Sequence, residues 1–371
     1  MSNTTPIKAA VVREVNTPWV IEDLTLEAPR DDELRVRLVA TGMCHTDIVC
    51  RLGFPVPMPI VLGHEGAGVV EEVGAKVSGI EIGDHVVLSF NSCGDCHNCE
   101  KQMPATCYNF YPRNVSGVRM EDGSSPISDH NGAVHGMFFG QSSFATHAIA
   151  RQCNAVVVDK DLPLEKLGPL GCGIQTGAGS VVNSIGIGAG ESLALFGGGA
   201  VGLSGLLGAR AVGAGDVVVV EPRESRRELA MELGAALTID PTACDDVTAK
   251  IKEEMGGVNH AFDTTGIPDV IRAAGLCLLP GGILAMVGVP PENTDMPADL
   301  LGMLMGGLTA KYVIEGDADP QRFIPRMLEW YKAGKFPFDR LIGEFPFEQI
   351  NEAEAASESG EVIKPVLVFN R

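Results

Sequence analysis

The 371-residue sequence has no excess of basic charge, and that absence removes several functions at once. Lys and Arg number 28 against 48 Asp and Glu, a net charge of −20. Nucleic acids and anionic membranes select basic surfaces, so neither is expected as a partner. A leader-like start is also missing: MSNTTPIKAAVVREV carries Lys8, Arg13 and Glu14 and no continuous apolar core. There is no internal repeat, no low-complexity segment and no unbroken apolar run of membrane length. The nearest approach, SLALFGGGAVGLSGLLGA at 192–209, is uncharged but holds six glycines. A strand, a glycine turn and a helix explain it better than one spanning helix. These absences leave a soluble, cytoplasmic protein as the expectation. With 45% hydrophobic and 20% charged residues, the chain can bury a large core without disulfides, as two domains or one large one.

The apolar pattern changes along the chain. Up to about residue 170, runs such as LRVRLVATG (34–42), GAGVVEEVG (66–74), HVVLSF (85–90) and CNAVVV (153–158) are punctuated by Gly and Pro, as in a β-rich unit. The polar stretch 114–136 reads as a long loop. From about residue 175, apolar strands alternate with helical segments: SLALFG, DVVVVE (216–221), ALTID (236–240), HAFD (260–263) and ILAMVG (283–288). This alternation predicts a parallel, doubly wound α/β sheet. PVLVF (365–369) reads as a strand that could return to the first domain.

GGGAVG (197–202) places Gly197, Gly199 and Gly202 as G-x-G-x-x-G between an apolar strand and a helix. Glu221 ends the next strand. The glycines permit close approach to a pyrophosphate, and the acid can accept bonds from ribose hydroxyls. A carboxylate there repels a 2′-phosphate, which favours NAD over NADP. Arg223, Arg226 and Arg227 follow; one of them, such as Arg226, could reach a 2′-phosphate if Glu221 turned away, or else they cap and solvate the next helix.

Ten cysteines in a reducing compartment point to metal rather than disulfides. Cys93, Cys96, Cys99 and Cys107 form C-x2-C-x2-C-x7-C. A bacterial ferredoxin motif opens the same way but continues x3-C-P. Here seven residues intervene and Tyr108 follows, which fits a closed, four-thiolate zinc site better. His97 is a possible substitute ligand that more readily points outward. Cys44, His64 and Cys172 each sit beside glycines in sharp-turn contexts. Two thiolates and an imidazole with an open fourth position make a catalytic zinc site, although their spacing alone does not join them.

GHEGAGVVEEVG, the four-cysteine run, GCGIQTG and GGGAVG occur in the order found in zinc-dependent medium-chain alcohol dehydrogenases, which the chain resembles over nearly its whole length. Within that family it is most similar to NAD-dependent aryl (benzyl) alcohol dehydrogenases. The resemblance implies a GroES-like catalytic domain from 1–173 and 317–371, a Rossmann NAD-binding domain at 174–316 and an active site in the cleft between them. It implies NAD and two zincs per chain, one catalytic on Cys44, His64 and Cys172 and one structural on the cysteine run. By the same resemblance, Thr46 takes the substrate proton, Asp47 lies beside the metal site and Glu65 lies behind the metal. His45 and Lys364 would meet the cofactor pyrophosphate. Thr176, Val201 and Val287 would lie near the nicotinamide.

The implied reaction moves a hydride from a primary aromatic alcohol to NAD, reversibly, giving the aldehyde. Many relatives carry a proton-shuttling histidine five residues after the first zinc cysteine; here Val49 stands there, so that route is closed. Phe90, Phe138 and Phe139 are candidates for a pocket suited to a flat ring, or else for core packing. An S-hydroxymethylglutathione (formaldehyde) dehydrogenase shares both zinc sites, but no basic cluster is visible for its anionic substrate. A zinc- and dinucleotide-binding protein without catalysis is disfavoured because the whole trio is present. Small-molecule alcohols and aldehydes are the expected partners, with assembly as a dimer or tetramer through 287–307.

Overall fold

Contacts divide the chain into two compact units in the computed structural model, which describes residues 4–370. Residues 1–3, the first of the segment read for a leader, and residue 371 lie outside the described residues. One unit comprises Met1–Cys172, Asp319–Pro325 and Asp339–Arg371; the other comprises Gly173–Ala318 and Arg326–Phe338. The division runs through the helix Pro320–Lys332, whereas the sequence reading gave all of 317–371 to the first domain.

The first unit is built on two sheets. In one, the order is Ile60–Val61, Thr5–Val12, Val20–Leu26, Ile127–Asp129 and Gly132–Val134. The other runs Ala155–Val158, His85–Leu88, Gly66–Val73, Glu33–Gly42, Lys364–Val368 and Ile342–Pro346, with His147–Arg151 also on Glu33–Gly42. Glu33–Gly42 alternates buried and partly exposed residues along its middle, the period of a strand with one face on a core. The C-terminal strand does return: Val366 pairs with Gly42 and Val368 with Ala40. The stretch 114–136 is not simply a loop. Asp129 Oδ1 accepts the N–H groups of Asn131 and Gly132, closing a tight hairpin whose strands extend the first sheet.

The second unit holds a six-stranded parallel sheet in the order Leu237–Ile239, Val217–Val220, Leu193–Phe196, Val258–Asp263, Leu278–Met286 and Thr309–Tyr312. All of Val217–Val220 is buried, as expected of a strand covered on both faces. The order reverses at Leu193–Phe196, where a dinucleotide-binding sheet places its ligand. The apolar stretch 192–209 resolves into this strand, a turn and the helix Ala200–Val212. Among the described residues no helix is long and apolar enough to cross a membrane. The sixth strand had no signal in the pattern, because TAKY is a short edge strand with no buried residue.

Candidate active site and metal centres

Cys44 is the N-cap of the helix His45–Leu52, and Asp47 lies in its first turn. Asp47 Oδ2 accepts the Cys44 N–H at 3.0 Å, while Oδ1 lies 2.8 Å from His64 Nδ1 and accepts the Gly63 N–H at 3.0 Å. One buried carboxylate thus fixes the backbone of one candidate ligand and the ring of the next. Cys172 follows the turn Gly168–Gly171 and is buried. The thiols of Cys44 and Cys172 and a ring nitrogen of His64 lie within 4.8 Å of one another.

The chemistry of this trio fits a metal ion. With Nδ1 on Asp47, His64 turns Nε2 toward the thiols, and this buried atom has no hydrogen-bond partner. Cys172 holds the Cys44 thiol well below its usual pKa, against the effect of burial, with help from His64 and Lys364. Burial would lower the His64 pKa, but Asp47 and Cys44 outweigh it and hold it up. A low thiol beside a high imidazole marks a pocket that favours a positive occupant, whether a proton or a cation.

Glu65 is buried behind His64, and Lys364 Nζ reaches its Oε1 at 2.6 Å and the Met43 carbonyl at 3.1 Å. Burial pushes the Glu65 pKa up, against the pull of Lys364. Burial would lower the Lys364 pKa, but Glu65, Cys44 and Cys172 keep the ammonium protonated. Lys364, expected near the cofactor, is thus also a partner of the trio's neighbour Glu65. With 3% side-chain exposure, its ammonium is paired with Glu65. His45, by contrast, is exposed at the first position of its helix. Thr46 Oγ1 lies 3.7 Å from Cys44 Sγ.

The phenylalanines divide. Phe139 stacks on His64 with ring centroids 4.4 Å apart, and Phe138 meets the same ring edge-on at 5.6 Å. Phe90 connects to this group through Phe110, whose ring lies 5.5 Å from that of Phe90 and 6.2 Å from that of Phe139. Sequence reasoning passed over Phe110, because nothing in its spacing separates it from a core phenylalanine. Phe90, Phe138 and Phe139 also belong to the unit's hydrophobic core. Val49 is half-buried on the helix that begins after Cys44.

The thiols of Cys93, Cys96, Cys99 and Cys107 also lie within 4.8 Å of one another. Three of their separations are 3.4, 3.8 and 4.0 Å. Four thiolates around zinc at about 2.3 Å would stand about 3.8 Å apart. Backbone N–H groups of Cys99 and Tyr108 pull the Cys96 thiol down to about 6, whereas burial pushes Cys99 up to about 12. Such a set cannot ionise together without a cation. His97 begins the short helix after Cys96 and is not among the clustered donors.

In the second unit, Gly197 has φ +102°, and a Cβ on Gly202 would stand 1.9 Å from the Gly197 carbonyl oxygen. Glycine is therefore required at both ends of the turn. Gly199 caps the helix Ala200–Val212. Glu221 Oε2 accepts the Gly198 N–H at 2.7 Å. A cavity of about 740 Å³ is lined by Gly197, Gly199, Glu221, Arg226 and Thr264 among others. Arg226 Nε is buried there without a hydrogen-bond partner. The helix Gly173–Gly179, which carries Thr176, packs so closely that a Cβ on Gly177 would meet the Val201 carbonyl at 2.0 Å. Val287 follows the strand Leu278–Met286, and its N–H donates to the Asp263 carbonyl.

Comparison with known proteins agrees with this architecture. Residues 30–159 match the alcohol dehydrogenase GroES-like domain, and residues 200–333 match the zinc-binding dehydrogenase domain. A geraniol dehydrogenase from Castellaniella defragrans is 57% identical over 363 residues, covering 98% of this chain and 97% of that protein. The crystal structure of a benzyl alcohol dehydrogenase from Acinetobacter calcoaceticus superposes with a TM-score of 0.95 at 43% identity, covering 99% of this chain and all of that one. An alcohol dehydrogenase zinc-binding domain protein from Burkholderia ambifaria gives 0.97 at 46% identity, with full coverage of both chains. The chain belongs to the zinc-binding medium-chain alcohol dehydrogenase family. It is an alcohol dehydrogenase acting on small alcohols or aldehydes, with zinc and a nicotinamide dinucleotide as the family's cofactors.

Proposed function

We propose that the chain oxidises primary alcohols whose carbinol carbon adjoins an unsaturated carbon, benzyl alcohol above all, with NAD as acceptor and a reversible outcome. The observation that carries this reading is Phe139 stacked on His64, with the fully buried Phe138 packed edge-on behind the pair. A flat ring gains apolar contact against such an aromatic residue. The names of the two relatives agree, since benzyl alcohol and geraniol both give a conjugated aldehyde.

Cys44, His64 and Cys172 would hold the catalytic zinc, and the four-cysteine cluster a second, structural one. Bound at the trio, zinc supplies a Lewis acid that lowers an alcohol's hydroxyl pKa. NAD supplies the hydride acceptor. The chain's own residues do the rest. Asp47 fixes the His64 tautomer, leaving Nε2 as a donor to the metal. Thr46 takes the substrate's hydroxyl proton. Glu65 and Lys364 form a buried pair that keeps a carboxylate behind the metal ligands. Val49 carries no proton, so a proton held at Thr46 would have to leave by a route other than this position. Gly197, Gly199 and Gly202 admit the pyrophosphate, with His45 and Arg226 as charge partners, and Glu221 binds the adenosine ribose. Thr176, Val201 and Val287 border the nicotinamide.

An alcohol panel with each dinucleotide tests this. Benzyl alcohol and geraniol should exceed ethanol in kcat/KM by at least about 100-fold, on the order of 3 kcal/mol, and NAD should exceed NADP. Higher activity on S-hydroxymethylglutathione would overturn the substrate class. Glu221→Ala should erode the preference for NAD by roughly tenfold, or 1.4 kcal/mol.

The exposed Leu300, Leu301, Leu304 and Met305 lie just before the edge strand Thr309–Tyr312. An apolar helix face beside an open sheet edge supports self-association as a dimer or tetramer. Leu304→Glu should shift the sedimentation of the protein toward the monomer.

A further inference from the structure

The trio of candidate ligands is tied together on two sides. Asp47 links Cys44 to His64. The other tie joins His64 to Cys172 through Gln141, a residue with 1% exposure that no motif marks. Gln141 Oε1 accepts the Gly66 N–H at 3.0 Å. Its Nε2 donates to the His64 carbonyl at 3.0 Å and to the Ser89 carbonyl at 3.0 Å. The neighbours dictate this amide orientation, since one donor faces the oxygen and two acceptors face the nitrogen. The Ser89 hydroxyl in turn donates at 2.6 Å to the carbonyl of Gly171, the residue before Cys172. A Cβ on Gly171 would lie 1.9 Å from the Leu88 carbonyl oxygen, so the two segments run in direct contact.

We propose that Gln141 is a positioning residue for the metal-binding trio: its amide, relayed by Ser89, sets the separation of His64 and Cys172. The inference rests on the reading of the trio as a zinc site and adds what holds it to size. Asp47 closes the site on the Cys44 side, and Gln141 closes it on the Cys172 side. Both N–H donors of the amide and its oxygen are engaged within the protein, so Gln141 acts through the backbones of the ligand segments and not on substrate. A methionine has nearly the same shape but makes none of these bonds, so the His64 carbonyl loses this donor. The Ser89 carbonyl loses one as well, while still accepting from Asn154 Nδ2 at 3.3 Å.

The test compares metal binding in the wild type, Gln141→Met and Ser89→Ala. The four-cysteine cluster serves as an internal control. Apo protein is titrated with Co2+ while thiolate charge-transfer and ligand-field absorption are recorded, and zinc affinity is measured by competition with a chelator. Partners that orient metal ligands typically change metal affinity by about 10–100-fold. Gln141→Met should weaken the trio site by that factor and alter its cobalt spectrum, with the cluster unchanged. Ser89→Ala should act in the same direction and less. Combined with Gln141→Met it should add little, because both cut one relay. Equal affinity and an unchanged cobalt spectrum in Gln141→Met would overturn the proposal. So would equal weakening of both sites, which marks a general loss of packing. If Gln141→Met does not fold, Ser89→Ala decides alone: an unchanged trio site overturns the relay. A wild type that binds cobalt only at the cluster would instead refute the reading of the trio itself.

Discussion

The two cysteine-containing clusters use the same atom type and differ in almost everything else. Cys93, Cys96, Cys99 and Cys107 come from one short stretch, and local turns bring them together. Cys44, His64 and Cys172 come from a helix start, a pre-strand segment and a turn, and only the folded unit assembles them. In the proposed reading the first set would saturate a tetrahedral ion with four thiolates, which would leave it able to fix a loop and little more. The second offers three donors, an acid on the imidazole and an aromatic ring stacked on it. In this proposal the motif dense in sequence serves architecture, while the reactive site is the set that is sparse in sequence and dense in space.

This contrast can be broken from either side. The largest expected effect is on stability: Cys99→Ser should release one zinc per chain and lower Tm by at least roughly 5 °C. Turnover per folded molecule should stay within about tenfold of wild type. A complete loss of turnover in a folded protein would mean that the cluster takes part in the reaction. Asp47→Asn should weaken metal binding at the trio by about 10–100-fold and leave the cluster alone. Metal competition checks this, and equal affinities would remove Asp47 from the site. The smallest effect concerns Val49. Val49→His adds a titrating group and should change the pH profile of hydride transfer, measured in a single turnover. Identical profiles would show that no proton passes this position.

Much of this was legible from sequence. Strand, glycine turn, helix and acid at 192–221 form a local signal, because each glycine answers a steric demand inside one turn. Five of the six strands of the parallel sheet announce themselves as apolar runs. The edge strand Thr309–Tyr312 does not, since it buries none of its residues. The hairpin at 127–134 was hidden because its turn residues, Asp129 to Gly132, resemble an irregular loop. Within the site, family resemblance pointed to the ligands, and geometry then supplied their partners. The pairing of Lys364 with Glu65 joins distant positions, and no spacing rule reaches that far. Gln141 is the same case: a glutamine between Gly140 and Ser142 looks like a surface residue until its three buried bonds are counted.

The central claim is that the trio performs the reaction and the cluster does not. The most direct measurement is zinc per chain together with turnover for Cys172→Ala. The account predicts that one zinc remains, held by the four cysteines, in a folded protein whose turnover falls by at least about a thousandfold, on the order of 4 kcal/mol. Full turnover with the metal content reduced would contradict it.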